Sequence, residues 1–280
     1  FDMQQSGAIA FGDYKKPIEQ DNLMKVALLY AQNFNGLVLS FPKNKSISGE
    51  GIAHEGINST KLGLKGIPAL AEELQIVRDL FLLEYTGGKL HIPTISSAKS
   101  VDLIKEAKKN GLQVSCSVAA HHLTLTDNEL HEFDSNFKTN PPLRTNTDCK
   151  ALQKGVRTGV IDIITSDHDP IDIEYKKVEF SEAKYGTIGL ESLFGAVNSV
   201  LPLENFIESI TSKPRAIFGL DSITIAEGKI AEISLFNPDD QYTFTKEHVL
   251  STSKNSAFFN KKMNGKVYGI FSNKQLILNS

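Results

Sequence analysis

Short, almost continuously apolar runs alternate with amphipathic helical patterns through most of this chain, and that alternation restricts the fold more than any other feature. "AIAFGD" (8–13), "GLVLSF" (36–41), "KLHIPTI" (89–95), "LQVSCSVAA" (112–120) and "VIDIITSD" (160–167) read as strands. Between them, "DNLMKVALLYAQNF" (21–34), "IPALAEELQIVRDLFLLEYTGG" (67–88), "SAKSVDLIKEAKKNG" (97–111) and "TDCKALQKGVRTG" (147–159) carry apolar residues at helical spacing. Asp21 is expected to cap the first helix, and the Gly87-Gly88 pair to stop the second. Strands without polar alternation, separated by helices, predict a parallel sheet covered on both faces.

After about residue 220 the pattern changes. "ITIAEGKIAEISLFNPDDQYTF" and "GKVYGIFSNKQLIL" alternate with a period of two and contain Gly, Asn and Asp turns. They predict a small antiparallel module over 221–280, behind a larger α/β unit over 1–220 that closes with the helix "SKPRAIFGL" (212–220). A net charge of −3 without basic clusters leaves no footprint for nucleic acid. No apolar run approaches the roughly 20 residues needed to cross a membrane. Cys116 and Cys149 lie outside any Cys-x-x-Cys pair, which predicts a reducing, cytoplasmic setting; Cys116, inside an apolar strand, is expected to pack in the core.

Ligands of parallel α/β sheets bind where the strands end, at their C-terminal side. The polar residues there are Ser40 and Lys43, Thr94 and Ser96, His121 and His122, Asn140 and Arg144, and Asp167, His168 and Asp169. Imidazole and carboxylate from separate strand ends can hold zinc and activate a water. Equally, a histidine can cap a helix while Asp167 accepts backbone N–H groups, and spacing alone does not separate these readings.

The segments "VAAHHLTLT", "NPPLRT" and "ITSDHDP", in this order, resemble the Pro-His-His-Leu, Asn-Pro-Pro-Leu-Arg and Asp-His-Ala-Pro-His segments of dihydroorotases, in the larger bacterial class of the amidohydrolase superfamily. "GAIAFGD", "YGTIGLES", "SKPRAIFGL" and "NSAFFNKKMNGKV" extend the resemblance over nearly the whole chain. It implies a (β/α)8 TIM-type barrel, here with its third to eighth strands, beside a small β-sandwich. A barrel lacking its first two strands would leave unpaired edges, so the sequence is expected to belong to a longer chain. The implied activity is the zinc-dependent interconversion of carbamoyl-aspartate and dihydroorotate in pyrimidine synthesis.

Carried over position by position, the resemblance implies His122 as a zinc ligand and Asp167 as both metal ligand and proton acceptor. Asn140 would contact substrate, as would the loop of Tyr185 and Gly186. Other positions depart from the pattern. "SFPK", Ser40 to Lys43, stands where a ligand carboxylate is expected; Thr94 replaces a metal-binding histidine; and Ile171 replaces a substrate-binding one. His91, three residues before Thr94, is expected by strand alternation to face the opposite way. Arg144 is read as orienting a loop through a carboxylate, His54 as a loop or helix-cap residue, and His131 and His248 as surface groups. The expectation is a dihydroorotase-like protein with a degraded metal site, inactive or weakly active, serving as a scaffold for aspartate transcarbamoylase and assembling as a homo-oligomer. The alternative is an active zinc-dependent dihydroorotase or related cyclic amidase.

Overall fold

The strands of the computed structural model, which describes residues 1–279, are in chain order β1 (Leu37–Leu39), β2 (Ala53–His54), β3 (Gly66–Ile67), β4 (Lys89–Ile92), β5 (Val114–Ala119), β6 (Ile163–Thr165), β7 (Ile233–Thr243), β8 (Lys262–Ser272) and β9 (Gln275–Leu278). β1, β4, β5 and β6 form a parallel sheet in that spatial order. Helices Leu70–Thr86, Ala98–Lys109 and Asn146–Arg157 lie in the successive crossovers, as the periodicity predicts. β2 and β3, also parallel, pair apart from this sheet and had no signature in the periodicity.

Two expectations are corrected at the start of the chain. The run 8–13 contributes only one parallel bridge, Phe11 to Val38, with Phe11 N–H donating to Leu37 O at 2.9 Å and Leu39 N–H donating to Phe11 O at 2.8 Å. The N-cap position of the helix Asp21–Gln32 is held by Gln20, whose side chain makes no capping hydrogen bond, and not by Asp21. Asp21 is its first helical residue, where its charge suits the helix dipole and pairs with Arg78 Nη1 at 2.9 Å. Gly87, at φ +71°, ends the Leu70–Thr86 helix in a conformation that a side chain would strain.

Register assigns the two faces of the sheet. Val38, Leu90, Val114, Cys116, Val118 and Ile164 share the outer face and pack with Met24, Leu28, Ile76, Leu83, Ile104 and Leu152 from the helices. Full burial of each such side chain stabilises the fold by about 1.5–3 kcal/mol as an upper bound. Leu39, His91, Ser115, Ser117 and Thr165 share the inner face. In a flat sheet the Phe11 segment and β6 would be four spacings, roughly 19 Å, apart. Yet Lys15, just past the first, and Asp167, just past the last, form an ion pair of 3.1 Å. The sheet therefore curls, bringing its strand C-termini onto one rim.

β7, β8 and β9 make the antiparallel module. Phe244, Val249, Ala257, Phe258 and Met263 share a core with Leu125, Leu143, Ile188 and Ala196 of the preceding part. Among the described residues no helix is long and apolar enough to cross a membrane.

Candidate functional site at the strand C-termini

The curled rim gathers the loops that follow β1, β4, β5 and β6, and the predicted site residues lie on it or in the scaffold beside it. His122 lies in the short helix Ala120–Thr124 that follows β5, and is 2% exposed. Its Nε2 faces Pro141 O at 3.1 Å and Pro142 O at 3.3 Å, so it must carry the proton and donate. Nδ1 is left with a buried lone pair and no partner among the described residues. Burial, with the Arg144 charge next, pushes His122 down to about 3 and keeps it neutral. Its neighbour His121 likewise has an unpartnered Nε2, with the two ring centroids 4.4 Å apart.

Asp167 follows β6 and has a side chain only 7% exposed. Its Oδ2 accepts from Lys15 Nζ at 3.1 Å, and the same ammonium reaches Asp169 Oδ2 at 3.4 Å. Burial pushes the Asp167 carboxyl up, against the pull of Lys15. For Lys15, burial is the largest influence and acts downwards, but Asp167, Tyr14 and Asp169 together outweigh it, and the ammonium is held above its usual value. Lys15 and Asp167 border a cavity of about 170 Å³ that Gly12, Tyr14, Phe41 and Thr94 also line.

The remaining positions divide between rim and scaffold. Ser40 turns away and donates to buried Asp79 Oδ2 at 2.6 Å. Lys43 stays on the rim, half-buried, with Nζ 5.9 Å from the Tyr185 ring centroid. Burial and then the charges of Lys45 and Arg144 lower its pKa. Thr94, at φ +50°, donates its N–H to Ser117 Oγ at 3.1 Å and leaves Oγ1 buried without a partner. Asn140 Oδ1 is also unpartnered, beside Lys43 and Arg144 in a cavity of about 10 Å³, room for roughly one water.

Two readings change here. His91 does not point away from Thr94: its Nε2 lies 3.3 Å from the same Ser117 Oγ that Thr94 engages, and its Nδ1 lies 2.8 Å from Ser115 Oγ. Alternation counts residues inside a strand, and Thr94 stands beyond β4 in a left-handed turn. Arg144 is fully buried, but a carboxylate is not its main partner. It donates to Ser96 Oγ, His54 Nδ1 and Ile67 O, each at 3.0 Å, with Glu72 farther off at 3.8 Å. That also explains His54, which sits in β2, not in a loop or cap, and is held neutral by burial and by Arg144.

Tyr185 Oη donates to Gly51 O at 2.9 Å, and Gly186 N–H donates to Lys138 O at 2.9 Å. Gly186 has φ +131°, and a Cβ there would fall 2.9 Å from the Asp169 carboxyl carbon. Asn255 staples this loop to the β6 corner: Nδ2 donates to Asp169 O and Gly186 O, while Oδ1 accepts from Ile171 N–H at 3.1 Å. His168 Nδ1 accepts from Gly189 and Leu190 N–H, both at 3.3 Å. Sequence reasoning missed Lys15 and Asn255 as working parts, and placed Asp169 at the strand end without a role. The position of Lys15 just past an apolar run was the available signal.

The rim of a curled parallel sheet is where barrel enzymes do their chemistry, and the comparisons agree on that class. Residues 48–276 match the amidohydrolase family. The chain is 39% identical over 269 residues to the dihydroorotase of Trichlorobacter lovleyi and 39% identical over 271 residues to that of Pelotomaculum thermopropionicum, in each case covering 94% of this chain and 63% of the relative. Among solved structures, L-hydantoinase (dihydropyrimidinase) from Arthrobacter aurescens superposes with a TM-score of 0.82 at 19% identity, over 99% of this chain and 66% of that one. The fold is thus the TIM-barrel α/β type with a C-terminal β-module. The chain belongs to the amidohydrolase family and within it is dihydroorotase-like, spanning 63% of the length of those two relatives.

Families of this kind generally use a metal. The donors here do not fit one: Asp167 is engaged by an ammonium, the Nε2 of His122 donates to two carbonyls, and among the described residues no three His, Cys, Asp or Glu side chains converge as a ligand set.

Proposed function

We propose that this chain is the barrel part of a dihydroorotase-like protein of pyrimidine synthesis whose metal site is degraded, leaving it inactive or weakly active and acting as a scaffold for an aspartate transcarbamoylase. The observation that carries the reading is Lys43. By resemblance this rim position belongs to a ligand carboxylate, and here it holds a half-buried ammonium beside Arg144. A cation there repels a divalent ion and cannot ligate it while protonated. The surviving residues keep roles on the substrate side: Asn140, Tyr185 and Gly186 frame the pocket for carbamoyl-aspartate or dihydroorotate, and Asp167 stands at the proton-accepting position. The reading further places the protein in the cytoplasm as a homo-oligomer, with the barrel over 1–220 and the β-module over 221–280.

The test is ring opening of dihydroorotate by the purified protein, with and without added zinc, together with its zinc content. We expect turnover at background in both arms and far less than one zinc per chain. Near-stoichiometric zinc with robust turnover would overturn the reading. Co-purification with a transcarbamoylase tests the scaffold role.

One observation favours the second reading, an active zinc-dependent dihydroorotase or related cyclic amidase. The buried Nδ1 of His122 has a free lone pair and no partner. The same zinc measurement decides between the two.

A further inference from the structure

We propose that Lys15 is a built-in cation at the Asp167 corner: its ammonium takes the charge position that a divalent ion would need there, and it keeps such ions off these two carboxylates. The proposal rests on the reading of the chain as dihydroorotase-like with an altered metal site.

The geometry is specific to this corner. Lys15 Nζ lies 3.1 Å from Asp167 Oδ2 and 3.4 Å from Asp169 Oδ2, so one ammonium bridges two carboxylates. The Lys15 and Asp167 side chains are 15% and 7% exposed, which removes most of the solvent screening that makes surface ion pairs weak. Both residues stand in the left-handed region, at φ +50° and +45°. Neither is glycine, so both turns are held against a local backbone preference, and they aim the two side chains across the curled sheet at each other. The pair lines a rim cavity of about 170 Å³.

The departures from the resembled motif are matched. Asp169 stands where the Asp-His-Ala-Pro-His pattern has alanine, adding a carboxylate next to Asp167. Two carboxylates this close would attract a cation from solvent, and the chain supplies its own. A divalent ion on the same oxygens would lie within a few ångströms of the ammonium, so it must either displace Lys15 or bear its repulsion. Two carboxylate oxygens freed from Lys15 form a hard, anionic donor pair of the sort that divalent ions take.

The test is a zinc titration in competition with a chromogenic chelator, on the purified wild-type protein and on Lys15→Met, Lys15→Gln and Lys15→Arg. We expect zinc affinity to rise at least tenfold in Lys15→Met and Lys15→Gln, to stay at the wild-type level in Lys15→Arg, and to fall back in Lys15→Met combined with Asp169→Asn. Thermal melts establish that each variant is folded, and Lys15→Gln, which keeps length and a donor, carries the test if the methionine variant does not fold. Equal affinity in wild type, Lys15→Met and Lys15→Gln overturns the proposal. The two readings fail separately: zinc-dependent turnover by the wild type overturns the degraded-site function, whereas unchanged affinity in an inactive protein overturns the role of Lys15 alone.

Discussion

On the outer face of the parallel sheet, Leu90, Ile92, Val114 and Val118 meet helices through apolar contact, while on the inner face, one residue away along the same strands, His91, Ser115 and Ser117 meet each other through hydrogen bonds. Apolar burial is non-directional and tolerates imprecise partners. A buried imidazole between two hydroxyls depends on particular atoms, because an unpartnered polar group is expensive. The first face therefore sets stability, and the second sets where the rim loops start.

The largest expected effect comes from a place where the outer layer breaks its own rule. Glu72, buried on the Leu70–Thr86 helix, accepts from Ser96 N–H at 2.8 Å, Ser97 N–H at 3.1 Å and Ser100 Oγ at 2.6 Å, and also from Ser96 Oγ. Ser96 in turn accepts from Arg144, so this carboxylate anchors the start of the Ala98–Lys109 helix and the Arg144 loop together. Glu72→Ala would leave two backbone N–H groups and the Ser96 and Ser100 hydroxyls without their acceptor, and would remove the carboxylate nearest the buried Arg144 charge. We expect a loss of about 3–5 kcal/mol in unfolding free energy, read from the denaturant midpoint. An effect below about 1 kcal/mol would mean that water replaces the carboxylate and that the network is not structural.

Leu90→Ala tests the ordinary part of the same layer. Leu90 is 0% exposed, and its truncation is expected to cost about 3 kcal/mol through lost transfer energy and a residual cavity. Zinc affinity and rim chemistry should stay at wild-type levels, since its side chain points away from the rim. A change in zinc binding by Leu90→Ala would show that the two faces are coupled.

These contrasts also account for what the sequence revealed. The outer face was legible because its cause is local: apolar runs and helical periodicity are written within each segment, and the crossover helices follow them closely. The rim was legible only as positions, and partly wrongly. His91 was misoriented because Thr94 sits past the strand in a left-handed turn, where alternation no longer applies. Lys15 went unnoticed because its meaning lies in a carboxylate 152 residues away, brought near by the curl of the sheet. The segment 134–139, just before the Asn-Pro-Pro-Leu-Arg run, had no local signature either. Lys138 is buried with its ammonium donating to Phe180 O and Ser181 O, both at 2.8 Å, a conformation set by a partner segment some forty residues on.

The inner face should reveal itself through acid. Burial, with the Lys108 charge second, lowers His91 from its usual 6.5 to about 4. Because the folded value lies below the unfolded one, neutral His91 contributes fully above pH 6.5, and that contribution is lost as pH falls towards 4. The loss attributable to His91 is about 3 kcal/mol at pH 4. In His91→Gln, the decline in stability between pH 6.5 and 4 should be shallower by that amount, measured as denaturant midpoints at several pH values. An unchanged slope would place the acid sensitivity elsewhere, with His122 next in line, lowered to about 3 by the same cause.

The smallest effect separates the two hydroxyls that hold His91. Ser117 Oγ has two tasks, since it also accepts the Thr94 N–H, whereas Ser115 Oγ serves only the Nδ1 of His91 at 2.8 Å. Ser115 is half-exposed, so water can take its place on the imidazole in a Ser115→Ala variant. We expect that variant to lose about 1 kcal/mol, with the conformation of the Thr94 turn intact. Ser117→Ala should lose more, because it orphans a backbone donor at the rim as well as the Nε2 contact. If the two variants lose the same amount, the Thr94 turn does not depend on the inner face, and the assignment of that face to positioning the rim loops falls.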